Sequence, residues 1–187
     1  GFQKFKLTLA QQLAADDYFH SYEINSEDSI QELTEKVFDT TISEILNVRS
    51  QLSQEVLEEA IETLANAKRV EFYAFGGSVP VAMDAQHKFF RFGIPVVAHI
   101  DYINQRMIAS MMREDDVLVL ISFTGRTAEI VQTAKVAKKN NVKTIALTSK
   151  NSPLAKLSDV VLHIDAPLEN NLHIPMTSRL AHLAIID

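Results

Sequence analysis

From Arg69 onward the chain alternates between short, nearly unbroken apolar runs and stretches with helical spacing. The runs cover residues 70–75, 95–99, 117–121, 142–147 and 160–164. They lack the polar alternation of a strand with one wet face, so each needs cover on both sides. Helical patterns starting near Val79, Tyr102, Thr127 and Pro153 can supply that cover. The expectation is an α/β fold: a doubly wound sandwich around a parallel five-stranded sheet. A helical extension precedes it. In its first part Asp28 with Gln31 resembles a capping box ahead of an apolar stripe of Ile30, Leu33, Val37, Thr41, Ile45 and Val48. Ser53 is placed to cap a second helix, whose stripe is Val56, Leu57, Ala60, Ile61 and Leu64.

The turn after the third run reads Ser122-Phe123-Thr124-Gly125-Arg126-Thr127. It joins a strand to a helix, where the first helical N–H groups lack intrahelical partners and the helix dipole puts partial positive charge. A phosphate fits such a place, with Ser and Thr hydroxyls as further donors and Gly125 letting the backbone approach. A capped turn without a ligand would use the same residues. A second turn of this kind, Gly76-Gly77-Ser78, follows the first run, and Thr148-Ser149 follows the fourth. In a parallel sheet such turns gather at the carboxyl ends of the strands. Gly77, Ser78, Ser122, Thr124, Gly125, Arg126, Thr127 and Ser149 are therefore the candidate residues for binding a phosphorylated small molecule. Arg126 is the weakest in chemistry, since a solvated loop arginine explains it as well as a clamp on phosphate or carboxylate.

These three turns resemble the sugar isomerase (SIS) phosphosugar-binding domain, over residues 52–187. Gly1-Phe2-Gln3-Lys4-Phe5-Lys6-Leu7-Thr8-Leu9-Ala10-Gln11 is similar to the tail of the helix-turn-helix domain of RpiR-type bacterial transcription regulators. Lys88-Phe89-Phe90-Arg91-Phe92-Gly93-Ile94-Pro95-Val96-Val97 and Ile174-Pro175-Met176-Thr177-Ser178-Arg179-Leu180-Ala181 resemble the hexose-metabolism repressor (HexR) branch of that family. Two departures stand out: Gly77 occupies a position that usually holds serine, and Thr124 replaces a middle serine. The resemblance implies three segments: residues 1–14 as the remnant of a helix-turn-helix domain, 15–28 as a linker, and 29–187 as the SIS domain. It also implies a regulator of carbohydrate metabolism that acts as a homodimer and takes a sugar phosphate effector, 2-keto-3-deoxy-6-phosphogluconate in the HexR branch. DNA would be contacted only through the missing N-terminal domain.

Composition agrees with that outline. The chain has 187 residues, 47% of them hydrophobic, which suffices for one core with an extension. With no cysteine, disulfides and thiolate metal sites are excluded. The net charge of −6 argues against strong nucleic-acid binding by this segment alone. No apolar run reaches the ~20 residues of a membrane helix and no signal peptide is visible, so a cytoplasmic protein without membrane contact is expected. The chain opens on Gly1 inside a helical pattern and stops at Asp187 without a cap, which reads as a piece of a longer protein.

The competing function is a phosphosugar isomerase built on the same cradle. Glu129, in the first turn of the helix after Thr127, is its best acid/base candidate, yet an acidic residue there also complements the helix dipole. No second acid/base partner stands out. None of the six histidines has the spacing of a metal site beside a glutamate. The expectation is a non-enzyme with no catalytic residue, no metal and no cofactor.

Overall fold

The sequence Asp116-Val117-Leu118-Val119-Leu120-Ile121 makes strand β3, and all six residues are buried. Val117, Val119 and Ile121 enter one core, while Leu118 and Leu120 enter another. Each such aliphatic side chain contributes about 1.5–3 kcal/mol when removed from water. A strand that is apolar on both sides can only sit in the middle of a sandwich. The computed structural model describes residues 27–164 and 176–187 and shows this arrangement. Among them five parallel strands form one sheet in the order β2-β1-β3-β4-β5. The strands are β1 (Arg69–Ala74), β2 (Val96–His99), β3 (Asp116–Ile121), β4 (Lys143–Thr148) and β5 (Val160–His163).

The helices divide between the two faces. Helices α1 (Ile30–Gln51), α2 (Gln54–Ala65), α3 (Val79–Phe89) and α6 (Met176–Ile186) send Val48, Ala60, Val81, Ala82, Ala85 and Ala181 into the core with Val70 and Phe72. Helices α4 (Tyr102–Met111) and α5 (Ala128–Lys139) cover the other face through Ala109, Ile130, Ala134 and Ala137. The doubly wound sheet expected from the sequence is present, with strand ends within a residue or so of expectation. The edge strand β2 is short, and Gln86 on α3 accepts a hydrogen bond from the backbone N–H of Ala98 at 2.5 Å.

Two local expectations need correction. The first capping box belongs to Ser29 and Glu32, one residue later than Asp28 and Gln31. Glu32 N–H donates to Ser29 Oγ at 3.3 Å, and Ser29 N–H donates to Glu32 Oε2 at 2.9 Å. Asp28 instead pairs with Lys36 at 2.7 Å, and Gln31 donates to Glu35. The helix expected from Pro153 is a run of tight turns. Its backbone is used elsewhere, because Leu154 N–H donates to Gly125 O at 3.1 Å and Ser152 N–H to Ser149 O at 3.1 Å. Proline also removes one donor that a helix could use. The α1 stripe is only half used: Val48 is buried, while Ile30, Leu33 and Val37 stay exposed. The segments expected as a helix-turn-helix remnant (1–14) and most of the linker (15–28) lie outside the described residues.

Candidate functional site

The chain crosses from β1 to β2 on one side and then returns to β3 on the other side of β1. The strand order therefore reverses between β1 and β3, the place where open α/β sheets bind ligands beyond their carboxyl ends. The lateral register fixes which turns meet there. Ala74 pairs with Ile121, and Ile121 pairs with Leu147. The next residues are Phe75-Gly76-Gly77-Ser78 after β1, Ser122 to Thr127 after β3, and Ser149 one residue beyond β4. Three turns separated by tens of residues in sequence thus share one edge of the sheet.

After β1, Gly76–Ser78 forms a single 3-10 turn that runs into α3. Gly76 has φ +53°, a conformation glycine takes without steric cost. Ser78 stands at the N-cap of α3 but makes no side-chain capping bond. Ser78 is half-buried, while Gly76 and Gly77 are exposed. Pro80 lies in the first turn of α3, where its missing donor costs nothing.

After β3, Ser122 is 7% exposed and is tied into the sheet by its N–H donating to Leu147 O at 3.1 Å. Its carbonyl accepts from Gly125 N–H at 3.1 Å, which closes the turn. Gly125 has φ +58°, and a Cβ there would lie 2.3 Å from both Thr148 Oγ1 and Ser152 Oγ. These two hydroxyls, 3.2 Å apart, form the floor under the turn. Thr124 Oγ1 is exposed and accepts from Arg126 N–H at 3.4 Å. Arg126 is exposed. Thr127 is the N-cap of α5, and its side chain makes no capping bond.

Ser149 has a different place. Its hydroxyl donates to Phe123 O at 2.9 Å and its N–H to the same oxygen at 3.0 Å, so it holds the β3 turn from the side. Thr148 belongs to the third hydroxyl-bearing turn of the sequence, whereas Ser152 is a site neighbour that only the fold brings in.

The capped turn and the ligand cradle make different uses of the same hydroxyls. Ser29 and Asp101 cap α1 and α4 through their side chains. Ser78 and Thr127 do not, and neither does Ser53 at α2. An idle cap is thus no site by itself; what distinguishes Ser78 and Thr127 is that both sit at the reversal point. Two helix N-termini with uncommitted hydroxyls there offer backbone N–H groups, partial positive charge and O–H donors to one anion.

Other regions fit this chemistry less well. A cleft of about 420 Å³ at the amino ends of β1 and β3 is lined by Lys68, Arg69, Met111, Arg113, Asp115 and Asp116. Four of its charges already pair, Lys68 with Asp115 at 2.5 Å and Arg69 with Asp116 at 3.4 Å. Among the described residues no three His, Asp or Glu side chains are grouped to hold a metal ion, and no helix is long and apolar enough to cross a membrane.

Comparison with known proteins matches residues 63–187 to the SIS domain. The chain belongs to the SIS domain family. The whole chain is also 40% identical to the HTH-type transcriptional regulator HexR of Escherichia coli, of which it spans 65%. Two solved structures share the fold. One is the sugar isomerase domain of an RpiR transcription factor from Sphaerobacter thermophilus, with a TM-score of 0.75 and 24% identity over 83% of this chain and 86% of that one. The other is the Vibrio vulnificus NanR protein complexed with ManNAc-6P, with a TM-score of 0.77 and 21% identity over 98% of this chain and 64% of that one.

Proposed function

We propose that this SIS domain is the effector-sensing part of a transcription regulator of carbohydrate metabolism. It binds a sugar phosphate at the carboxyl edge of β1 and β3, with Gly77, Ser78, Ser122, Thr124, Gly125, Arg126 and Thr127 around the phosphate and Ser149 bracing the turn. The observation that carries this reading is the lateral register that places the uncommitted hydroxyls of Ser78 and Thr127 at the same reversal point. The HexR resemblance supports 2-keto-3-deoxy-6-phosphogluconate as the effector, and the ManNAc-6P complex of NanR supports the ligand class. A thermal-shift screen with a panel of sugar phosphates tests it. A ligand at about 100 times its Kd stabilises the domain by about 2.7 kcal/mol. No stabilisation by any member of the panel overturns the reading.

The remaining parts of the proposal follow the same resemblance. Residues 1–14 end a helix-turn-helix domain, 15–28 link it to the SIS domain from residue 29, and DNA is contacted only by that N-terminal domain. The parent works in the cytoplasm as a homodimer. The exposed side chains of Ile30, Leu33, Val37, Phe38 and Ile42 on α1 support pairing through this domain, since Phe38 is 64% exposed on a helix with apolar residues to spare. Light scattering that returns the 20.9 kDa chain mass at micromolar concentration overturns that part. An isomerase remains the second reading, because Glu129 is exposed on the first turn of α5 beside the cradle. Turnover of any hexose or pentose phosphate by the purified domain would establish it.

A further inference from the structure

One buried side chain joins the ends of two strands beside the candidate site. Gln105 lies on α4 with no exposed surface. Its Nε2 donates to the carbonyl of His99, the last residue of β2, at 2.5 Å and to the carbonyl of Ala74, the last residue of β1, at 3.2 Å. These two bonds orient the amide and leave Oε1 buried with no partner among the described residues. An unpaired buried acceptor is costly, and an apolar side chain of the same length would avoid it. The carbonyls are therefore what the glutamine serves.

Beneath it side chains of the two strands also meet. His99 Nε2 lies 3.1 Å from Glu71 Oε2, and the rings of His99 and Tyr73 meet edge to face at 5.8 Å. The parallel pairing of β1 with β2, in which Tyr73 lies opposite His99, sets these strand ends side by side, so the amide of Gln105 meets two carbonyls held at a set separation.

The chain emerging from Ala74 needs such a hold. It continues through Phe75 into Gly76 and Gly77, neither of which carries a side chain that could pack. Within this turn Ser78 N–H donates to Phe75 O and Val79 N–H to Gly76 O, both local bonds. The β3 turn, by contrast, receives bonds from Ser149 and Leu154, which belong to another segment.

We propose that Gln105 is a positioning residue of the sugar-phosphate site, holding the end of β1 so that the Gly76–Ser78 turn presents its N–H groups and the Ser78 hydroxyl to the ligand. The inference rests on the reading of this edge as the ligand site, but one arm of its test needs no ligand. In the 187-residue chain, Gln105→Met keeps the length of the side chain and removes both donors. Hydrogen exchange at the Ser78 and Val79 amides should then speed up about tenfold, as the loss of one or two net hydrogen bonds implies, while Gly125 and Leu154 amides hold their rates. Equal acceleration in both turns, or none in either, overturns the assignment. Calorimetry with 2-keto-3-deoxy-6-phosphogluconate should show a comparable loss of affinity. If the unaltered chain does not bind this probe, the effector assignment fails while the exchange result still decides Gln105. Should Gln105→Met not fold, Gln105→Glu replaces it. As a neutral acid near pH 5.5 it keeps one donor, and as a carboxylate near pH 8 it faces two carbonyl oxygens. The ratio of Ser78 to Gly125 exchange should rise between these pH values by more than in the unaltered chain; an unchanged ratio overturns the proposal.

Discussion

The turns after β1 and β3 occupy equivalent places on adjacent strands, yet they are held in opposite ways. The β3 turn is set by contacts from outside itself. Gly125 is pressed onto the hydroxyls of Thr148 and Ser152, and its carbonyl takes the N–H of Leu154. The β1 turn is open: a Cβ on Gly76 or Gly77 would meet nothing within 4 Å. Glycine serves close packing in one and backbone freedom in the other. The proposed site would then have one rigid wall and one adjustable wall. An adjustable wall is the natural place for a ligand to favour one conformation over another, which any effector must do.

The largest expected effect comes from filling the rigid turn. Gly125→Ala places a methyl group against two buried hydroxyls and forces alanine into a left-handed conformation. About 3–5 kcal/mol of stability should be lost, combining overpacking with the left-handed penalty. Urea unfolding measures this, and a loss below 1 kcal/mol would erase the distinction between the two turns.

Next comes the support of the open turn. Helix α6 packs against α1, α3 and the Gly76–Ser78 turn, and carries His182, which is 1% exposed. Burial pushes the His182 imidazole down to about 4 from 6.5. The folded state therefore binds fewer protons than the unfolded chain between these values, so stability is lost as pH falls from about 6.5 to 4. The loss amounts to about 3 kcal/mol at the acid end. Exchange in the β1 turn should accelerate before that in the β3 turn. The pH dependence over this window should flatten in His182→Leu; an unchanged slope in denaturation measured at pH 5 and 7 would remove His182 from the account.

Ligand binding is expected to feel both walls equally. Ser122→Ala and Ser78→Ala each remove a hydrogen bond to a charged group, worth roughly 1.5–3 kcal/mol of affinity, without unfolding the domain. Calorimetric affinities that stay unchanged in both would dissolve the site. The smallest effect belongs to Gly77→Ser, which enters open space and should change stability by less than about 0.5 kcal/mol. It also adds a hydroxyl donor beside Ser78 at the proposed site, so tighter sugar-phosphate binding is the anticipated result. A destabilisation as large as that of Gly125→Ala would mean the first turn is no looser than the second.

What could be read from the sequence was local. Each strand is a short apolar run, and the turns after β1 and β3 each carry glycine and a hydroxyl within six residues. Their meeting at one edge followed from parallel pairing. What could not be read depends on partners distant in sequence. The segment after Ser149 gives its backbone to Gly125 and so never forms a helix. The shift of the first cap from Asp28 to Ser29 turns on which of two adjacent residues finds a reciprocal glutamate. Gln105 left a trace: it is the one polar residue on a face shared by Tyr102, Ala109 and Met112, at helical spacing. A lone amide on an apolar stripe is a question that only the fold answers.

The bond from Ala98 to Gln86 has a further consequence. β2 closes one border of the sheet with only four residues, and unpaired border strands recruit other chains into continuous β structure. Because Ala98 N–H is committed to a side chain on α3, this border lacks one of the donors that an incoming strand would need. Gln86→Leu should thus leave sugar-phosphate recognition intact while shortening the time the protein survives at high concentration before it aggregates.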